Sequence, residues 1–158
     1  MTAATPTIET LPAQTVAYAV CSGAYGNVSP RLNRLFAWLK EHRLQMKGAP
    51  GGLFRGSPAE AAAGTATWEL FTPVDAATAC QAPDAEQIGI KRLAPREVAA
   101  VLYRGPYATT GNAYPALMAW IPANGYIVAG PAEEWWLDDD DDVAPSELRT
   151  KIAYPVKS

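Results

Sequence analysis

Two apolar, partly β-branched runs, Gln14 to Cys21 and Arg96 to Tyr103, are each preceded by a proline (Pro12, Pro95) and stopped by a glycine (Gly23, Gly105). That pattern predicts two buried strands that end in turns. Beyond each glycine, Leu32, Leu35, Phe36 and Leu39, and then Tyr114, Leu117, Met118 and Ile121, recur at i, i+3, i+4 and i+7. This spacing predicts two amphipathic helices whose stripes face a core. In the second, Gly111 or Asn112 is placed to cap, Pro115 sits in the first turn, and Pro122 with Asn124-Gly125 ends the helix. Two more strands follow each helix, near Gly52 to Arg55 and Thr67 to Pro73, and near Glu134 to Leu137 and Arg149 to Val156. Each half of the chain therefore reads as a βαββ unit.

The halves also resemble each other residue by residue. Sliding the chain by 82 positions aligns Leu11–Val74 with Leu93–Val156 without a gap, and 12 of the 64 positions are identical. Chance would give about four, and identity at a fixed period is the mark of a repeat. The matches include rare or demanding residues: Gly23 with Gly105, Tyr25 with Tyr107, Trp38 with Trp120, Gly48 with Gly130, and Pro73-Val74 with Pro155-Val156. The expected fold is α+β: two tandem βαββ repeats with pseudo-twofold symmetry, an antiparallel sheet, two main helices and a central groove. The whole of residues 1–158 forms one domain, with repeat 1 over about 8–74, a linker over about 75–88 rich in Ala, Asp, Pro and Gln, and repeat 2 over about 89–156. A groove between helices above a sheet is a common place for a small-molecule site.

Composition narrows the function. The chain has 158 residues, 49% hydrophobic and 18% charged, with a formal net charge of -3, long enough for a core without disulfide or metal staples. An acidic balance, with a pI near 5.1, does not suit direct nucleic-acid binding. Apolar runs such as Val98–Tyr103 are too short to span a membrane, and the first residues lack a signal-peptide layout, so a cytoplasmic location is expected. Nothing before Ile8 can form a helix-turn-helix, which argues against a transcription-factor role for this chain alone. Cys21 and Cys80 lack ligand or framework spacing and read as reduced thiols.

Duplicated halves agree where structure demands it, so function is sought where they differ. Gly51-Gly52-Leu53-Phe54 in the first half faces Glu133-Glu134-Trp135-Trp136 in the second. In a strand, Glu134 and Trp136 project to one face and Glu133 and Trp135 to the other. A carboxylate enclosed among aromatics costs several kcal/mol unless compensated, on the order of what an organic cation can supply. The alternative is that both acids are solvated edge residues, as exposed Glu usually is. Tyr18, Tyr103 and Trp68 have no match in the other half and are pocket candidates. Trp38 and Trp120, beside the helical stripes, fit either core or groove. Tyr25 and Tyr107, each following its glycine, read as turn anchors.

The run Gly130-Pro131-Ala132-Glu133-Glu134-Trp135-Trp136-Leu137-Asp138-Asp139, preceded by Tyr114-Pro115-Ala116-Leu117-Met118-Ala119-Trp120 and by Asn124-Gly125-Tyr126, resembles the GyrI-like small-molecule-binding family. That family includes effector-binding domains of AraC-type and MerR-type regulators and free-standing gyrase-inhibitory proteins. The resemblance covers Ile8 to Val156 and implies the tandem βαββ fold. It places Glu134 on the acid that anchors cations in multidrug-binding members, and Trp136 on the family's aromatic, usually Tyr. Replacing that Tyr by Trp deletes a phenolic hydroxyl and leaves its hydrogen bond in question. The resemblance carries a ligand role to Glu134 only; with the candidates read from the residues themselves, the expected ligand-binding set is Glu134, Trp136, Tyr103, Trp68, Tyr18, Trp120 and Phe54.

Other chemistry is poorly represented. His42, the one histidine, sits on the polar side near a helix end and reads as a surface residue, against a Ser-His-Asp set or a His-based metal site. Asp138–Asp142 lacks the spaced ligands of a calcium loop and reads as a solvated turn. Gly48–Gly56 has no phosphate-cradle ending. No metal and no cofactor is implied. The leading reading is a binder that sequesters a hydrophobic, cationic small molecule. The resemblance implies two alternatives: a hydrolase that opens strained cyclopropanes in DNA-alkylating toxins, as some free-standing members do, with Glu134 as its catalytic residue, and a gyrase-inhibitor-like role in which the acidic run meets a protein partner.

Overall fold

The computed structural model describes residues 2–23, 28–55, 63, 67–139 and 141–158. The architecture is α+β, and every strand pairing among the described residues is antiparallel. The chain divides into two compact units, Ala13–Ala94 and Met1–Pro12 with Pro95–Ser158. These bounds differ from the repeat bounds read from the sequence because Thr2–Ala3 and Thr7–Leu11 pair with Arg96–Arg104, and Ile88–Leu93 pairs with Gln14–Ser22.

The Ala13–Ala94 unit holds β3 (Gln14–Ser22), α1 (Val28–Glu41), β4 (Gly51–Phe54), β5 (Thr67–Pro73) and β6 (Ile88–Leu93). Its strands run β6–β3–β5–β4. The helical stripe buries Leu35, Trp38 and Leu39, and α1 packs on β3 and β5. Arg43, at φ 57°, ends the helix in the left-handed conformation, and the Leu44 N–H returns to the Leu39 carbonyl at 2.9 Å. This is the bond that closes a helix C-terminus through a left-handed residue. Strand β6 was absent from the periodicity reading. It joins β3, and its Ile90 bridges Gln81 in the expected linker.

The other unit holds β1 (Thr2–Ala3), β2 (Thr7–Leu11), β7 (Arg96–Arg104), α2 (Tyr114–Ala123), β8 (Ile127–Val128), β9 (Ala132–Trp136) and β10 (Arg149–Lys157). Strand β10 pairs with β7 on one edge and β9 on the other, while β1 and β2 line the far edge of β7. The core on the helix side gathers Ala99, Val101, Tyr103, Leu117, Ile121, Ile152 and Val156, with Tyr114, Trp120, Tyr126 and Tyr154 packed around it.

Two expectations for α2 are corrected. Neither Gly111 nor Asn112 caps it: a 3-10 turn over Tyr107–Ala113 leads straight in, so Ala113 is the N-cap and the Tyr114 N–H meets the Gly111 carbonyl. Met118 is 47% exposed, because a helix of ten residues seats only Leu117 and Ile121 fully. Pro115 does occupy the first turn and Asn124 the C-cap.

Each unit carries the same local closure. A Cβ on Gly48 would meet the Pro73 ring at 3.3 Å, and one on Gly130 the Pro155 ring at 3.2 Å. The preceding amides, Lys47 and Ala129, donate to the Pro73 and Pro155 carbonyls at 2.8 and 2.7 Å. The matched indoles differ: Trp38 is buried and donates to Asp84 at 2.8 Å, whereas Trp120 is only partly buried. His42 lies exposed, stacked on Trp38 with centroids 3.8 Å apart.

The backbone approaches closely at Gly89, where a Cβ would come 2.6 Å from the Gln81 carbonyl and 2.9 Å from the Pro83 nitrogen. Both are main-chain atoms that cannot rotate away. Gly89→Ala is expected to cost about 2 kcal/mol or more, in the range of overpacked cores, read as a lower urea midpoint. Gly111→Ala, with no atom within 4 Å of its new Cβ, should leave the midpoint unchanged.

Candidate ligand-binding site

Strand β9 places two acids and two indoles alternately, and its register with β10 fixes the face of each. Trp136 lies opposite Thr150 and Glu134 opposite Ile152; on the other edge of β10, Thr150 faces Tyr103 and Ile152 faces Val101. Directly paired residues in an antiparallel sheet share a face. Tyr103, Thr150 and Trp136 therefore form one row, and Val101, Ile152 and Glu134 the next, under α2. Glu133 and Trp135 point the opposite way.

The two acids meet different partners. Glu133 is buried and held by both arms of Arg96, at 2.7 and 2.6 Å, with the Trp135 indole N–H donating at 3.3 Å. This is a charge-neutralised, bidentate pair. Glu134, partly buried, accepts from the Tyr114 hydroxyl at 2.5 Å and from the Trp136 indole N–H at 3.1 Å. Both donors are neutral. Among the described residues no salt bridge reaches Glu134. Burial pushes its carboxyl above the usual range, and the hydrogen bonds from Tyr114 and Trp136 offset only part of that. Tyr154, two residues beyond Ile152 on the same face, is raised by burial and by the nearby Glu134 charge. Its ring meets Tyr114 edge to face, with centroids 6.0 Å apart.

The site is thus a carboxylate on an apolar, aromatic floor, able to attract positive charge and to move a proton. Tyr114 and Tyr154 were not among the sequence candidates. Tyr114 was read only as part of a helical stripe; its signal was a hydroxyl-bearing aromatic where the other half has Leu32. The hydrogen bond in question at Trp136 is made by the indole N–H, and a phenol reaches the acid from α2.

The remaining candidates fall into three groups. Tyr103 is buried in the row beside Trp136, its hydroxyl paired with Thr109 at 2.7 Å. Trp120 packs against the same core. Phe54 and Trp68, in the Ala13–Ala94 unit, stack with centroids 6.2 Å apart, and the Arg31 guanidinium lies 5.5 Å from the Trp68 ring. Tyr18 sits on the other face of that sheet from Trp68: it pairs with Phe71, and Cys21 with Trp68. There Lys91 lies 4.3 Å over the Tyr18 ring and, with Arg55, holds buried Glu69. Tyr107 anchors its turn by donating to the Asp138 carbonyl and accepting from the Asp138 amide; Tyr25 lies outside the described residues. Asp138 is committed to Arg149 through two bonds of 2.9 Å. A cavity of about 350 Å³ at Gln14, Thr15, Lys47 and Asp75 contains none of the candidates. It opens at a loop and lacks the aromatic lining of a ligand site.

Comparison with known proteins places this arrangement. The EcmrR C-terminal domain superposes with a TM-score of 0.80 at 19% identity, covering 97% of both chains. Against the EcmrR chain solved in a DNA complex, the TM-score is also 0.80, and this chain spans 57% of that chain's length. A structure described as a hydrolase from Listeria innocua matches at TM-score 0.68 and 12% identity, over 96% of this chain and 91% of that one. SAV2435, solved bound to tetraphenylphosphonium, matches at TM-score 0.63 and 14% identity, over 97% and 94%. No curated protein sequence matches this one. The profile of the GyrI-like small molecule binding domain matches residues 4–157, nearly the full length of the chain. The chain belongs to the GyrI-like small-molecule-binding family.

Proposed function

We propose that this protein binds and sequesters a hydrophobic organic cation in an aromatic groove, with the Glu134 carboxylate as its anchor. One observation carries the reading: of two neighbouring acids on β9, Glu133 has Arg96, while among the described residues Glu134 has only the neutral donors Tyr114 and Trp136. A partly dry carboxylate without a cation is costly, and a ligand's positive charge compensates it. Trp136, Tyr114 and Tyr154 offer ring faces that each add about 0.5 to 2 kcal/mol to a desolvated cation, while Tyr103 and Trp120 support them. Trp68, Phe54 and Tyr18 are not required by this reading. That a fold neighbour is solved with tetraphenylphosphonium, a lipophilic cation, supports it. We also take the two βαββ segments as tandem copies, on the 82-residue repeat and the glycine–proline closure that each unit makes.

A second reading is a hydrolase for strained, activated cyclopropanes, favoured by the fold neighbour described as a hydrolase. Glu134 would accept a proton from water as the water oxygen bonds to a ring carbon. The ring bond breaks toward a conjugated acceptor on the substrate, which takes up the electron pair and then a proton. Positioning plus one base suffices only for an already reactive substrate.

In titration calorimetry, tetraphenylphosphonium should bind more tightly than a neutral aromatic of similar size, and Glu134→Gln should weaken the cation by roughly 1.5 to 3 kcal/mol, as for a charge-assisted contact. Equal affinity for the two probes in the unaltered protein refutes the anchor.

Acid should abolish that preference, because a raised carboxyl takes up its proton as pH falls through its folded value. Stability moves the other way. The protonated acid's contribution is fully present below the unfolded value and lost as pH rises through the higher folded one. Glu134→Gln should therefore melt no lower than the unaltered protein at neutral pH, and any advantage should vanish at pH about 4. A marked loss of melting temperature at neutral pH would assign Glu134 a structural role.

Mass spectrometry separates binder from enzyme. Incubation with a cyclopropane-bearing alkylator should give stoichiometric protection without product. Multiple turnovers that disappear in Glu134→Gln would establish the hydrolase instead.

A further inference from the structure

Resting on the reading of Glu134 as a cation anchor, we infer that this site selects cations whose charged centre carries no N–H donor, quaternary ammonium or phosphonium ions, over primary ammonium ions with the same aromatic body, and that Tyr114 sets this preference. The observation behind it is how the carboxylate is occupied. Each oxygen already accepts one hydrogen bond, Oε2 from Tyr114 at 2.5 Å and Oε1 from Trp136 at 3.1 Å. The negative charge remains, but part of its acceptor capacity is spent.

A primary ammonium ion brings three N–H donors that must all be satisfied once out of water. The floor around Glu134 offers little to receive them. Val101 and Ile152 are aliphatic, and the Tyr103 hydroxyl is engaged with Thr109. The Thr150 hydroxyl has no hydrogen-bond partner among the described residues, but at 0% exposure between Tyr103 and Trp136 it is closed off from a ligand. A quaternary centre asks for none of this. Its charge is spread over methyl or aryl surface, which contacts aromatic rings favourably and needs only a nearby negative charge. It is also more weakly hydrated, so that less is lost on entry.

Tyr114 is the adjustable donor. It reaches Glu134 from α2, whereas the Trp136 donor is built into the same strand. Tyr114→Phe frees a lone pair on Oε2 while keeping a ring against Tyr154, so an ammonium N–H gains an acceptor and a quaternary ion gains nothing. Tyr114 is accordingly a specificity-determining residue.

The test is titration of the full chain with three probes on one naphthylmethyl body: the trimethylammonium ion, the primary ammonium ion and the neutral alcohol. The unaltered protein should favour the trimethylammonium probe over the primary one by about tenfold, the order of loss expected for one unmet donor. Tyr114→Phe should narrow that ratio to about threefold or less, chiefly by tightening the primary probe. If Tyr114→Phe fails to fold by circular dichroism, Trp136→Phe removes the other donor and should narrow the ratio in the same sense. Cation preference over the alcohol with equal affinity for the two cations overturns the inference and leaves the anchor standing. So does a ratio that neither variant moves. Loss of all cation preference over the alcohol overturns the anchor and the inference together.

Discussion

Strand β10 is hydrogen-bonded on both edges, and that double pairing decides what the second unit can do. Its register with β9 sets Glu134 beside Ile152 and Glu133 beside Ala153, and its register with β7 sets Val101 and Tyr103 into the same two rows as Glu134 and Trp136. Because side chains alternate along a strand, a slip of one residue would exchange the two acids between faces. The acid with an arginine would then lie under α2, and the acid without one would face Arg96. The buried apolar positions on both faces, Ile152 and Ala153 among them at 0% exposure, resist such a slip.

The two acids illustrate different solutions to the same cost. Glu133 is enclosed together with Arg96, and removing one member of such a pair leaves an uncompensated charge that typically costs about 3–5 kcal/mol. Glu134 has no such partner among the described residues, so its ionised form is held at the expense of stability, and burial raises its carboxyl accordingly. Under the proposed reading, a bound cation relieves that local cost.

Much of this was legible before any coordinates. Local signals carried the βαββ elements: the i, i+3, i+4, i+7 stripe gave α1, and Thr67–Pro73 was bounded correctly by its apolar run and proline. Strands β1, β2, β6 and β8 lie outside the sequence expectation, because short or half-polar segments such as Thr7–Leu11 show no period, and only pairing with β7 makes that segment a strand. That Glu134 and Trp136 share one face, with Glu133 and Trp135 on the other, is readable from the pleat. What the sequence could not give was the contact across elements: Tyr114 reaching Glu134 from twenty residues away, and Arg96 reaching Glu133. Such contacts depend on register and helix placement, which no local pattern encodes.

The indole of Trp136 donates to a carboxylate only two residues back on the same strand. Acid and donor are thus carried by a single stretch of β9 and keep their mutual geometry wherever that strand is placed. Changes elsewhere in the unit can reshape the surrounding wall, enlarge it or alter its rings without rebuilding the charged centre. Acid and indole donor are therefore one contiguous, portable pair, whereas the Tyr114 phenol comes from a separate element and can change independently of them.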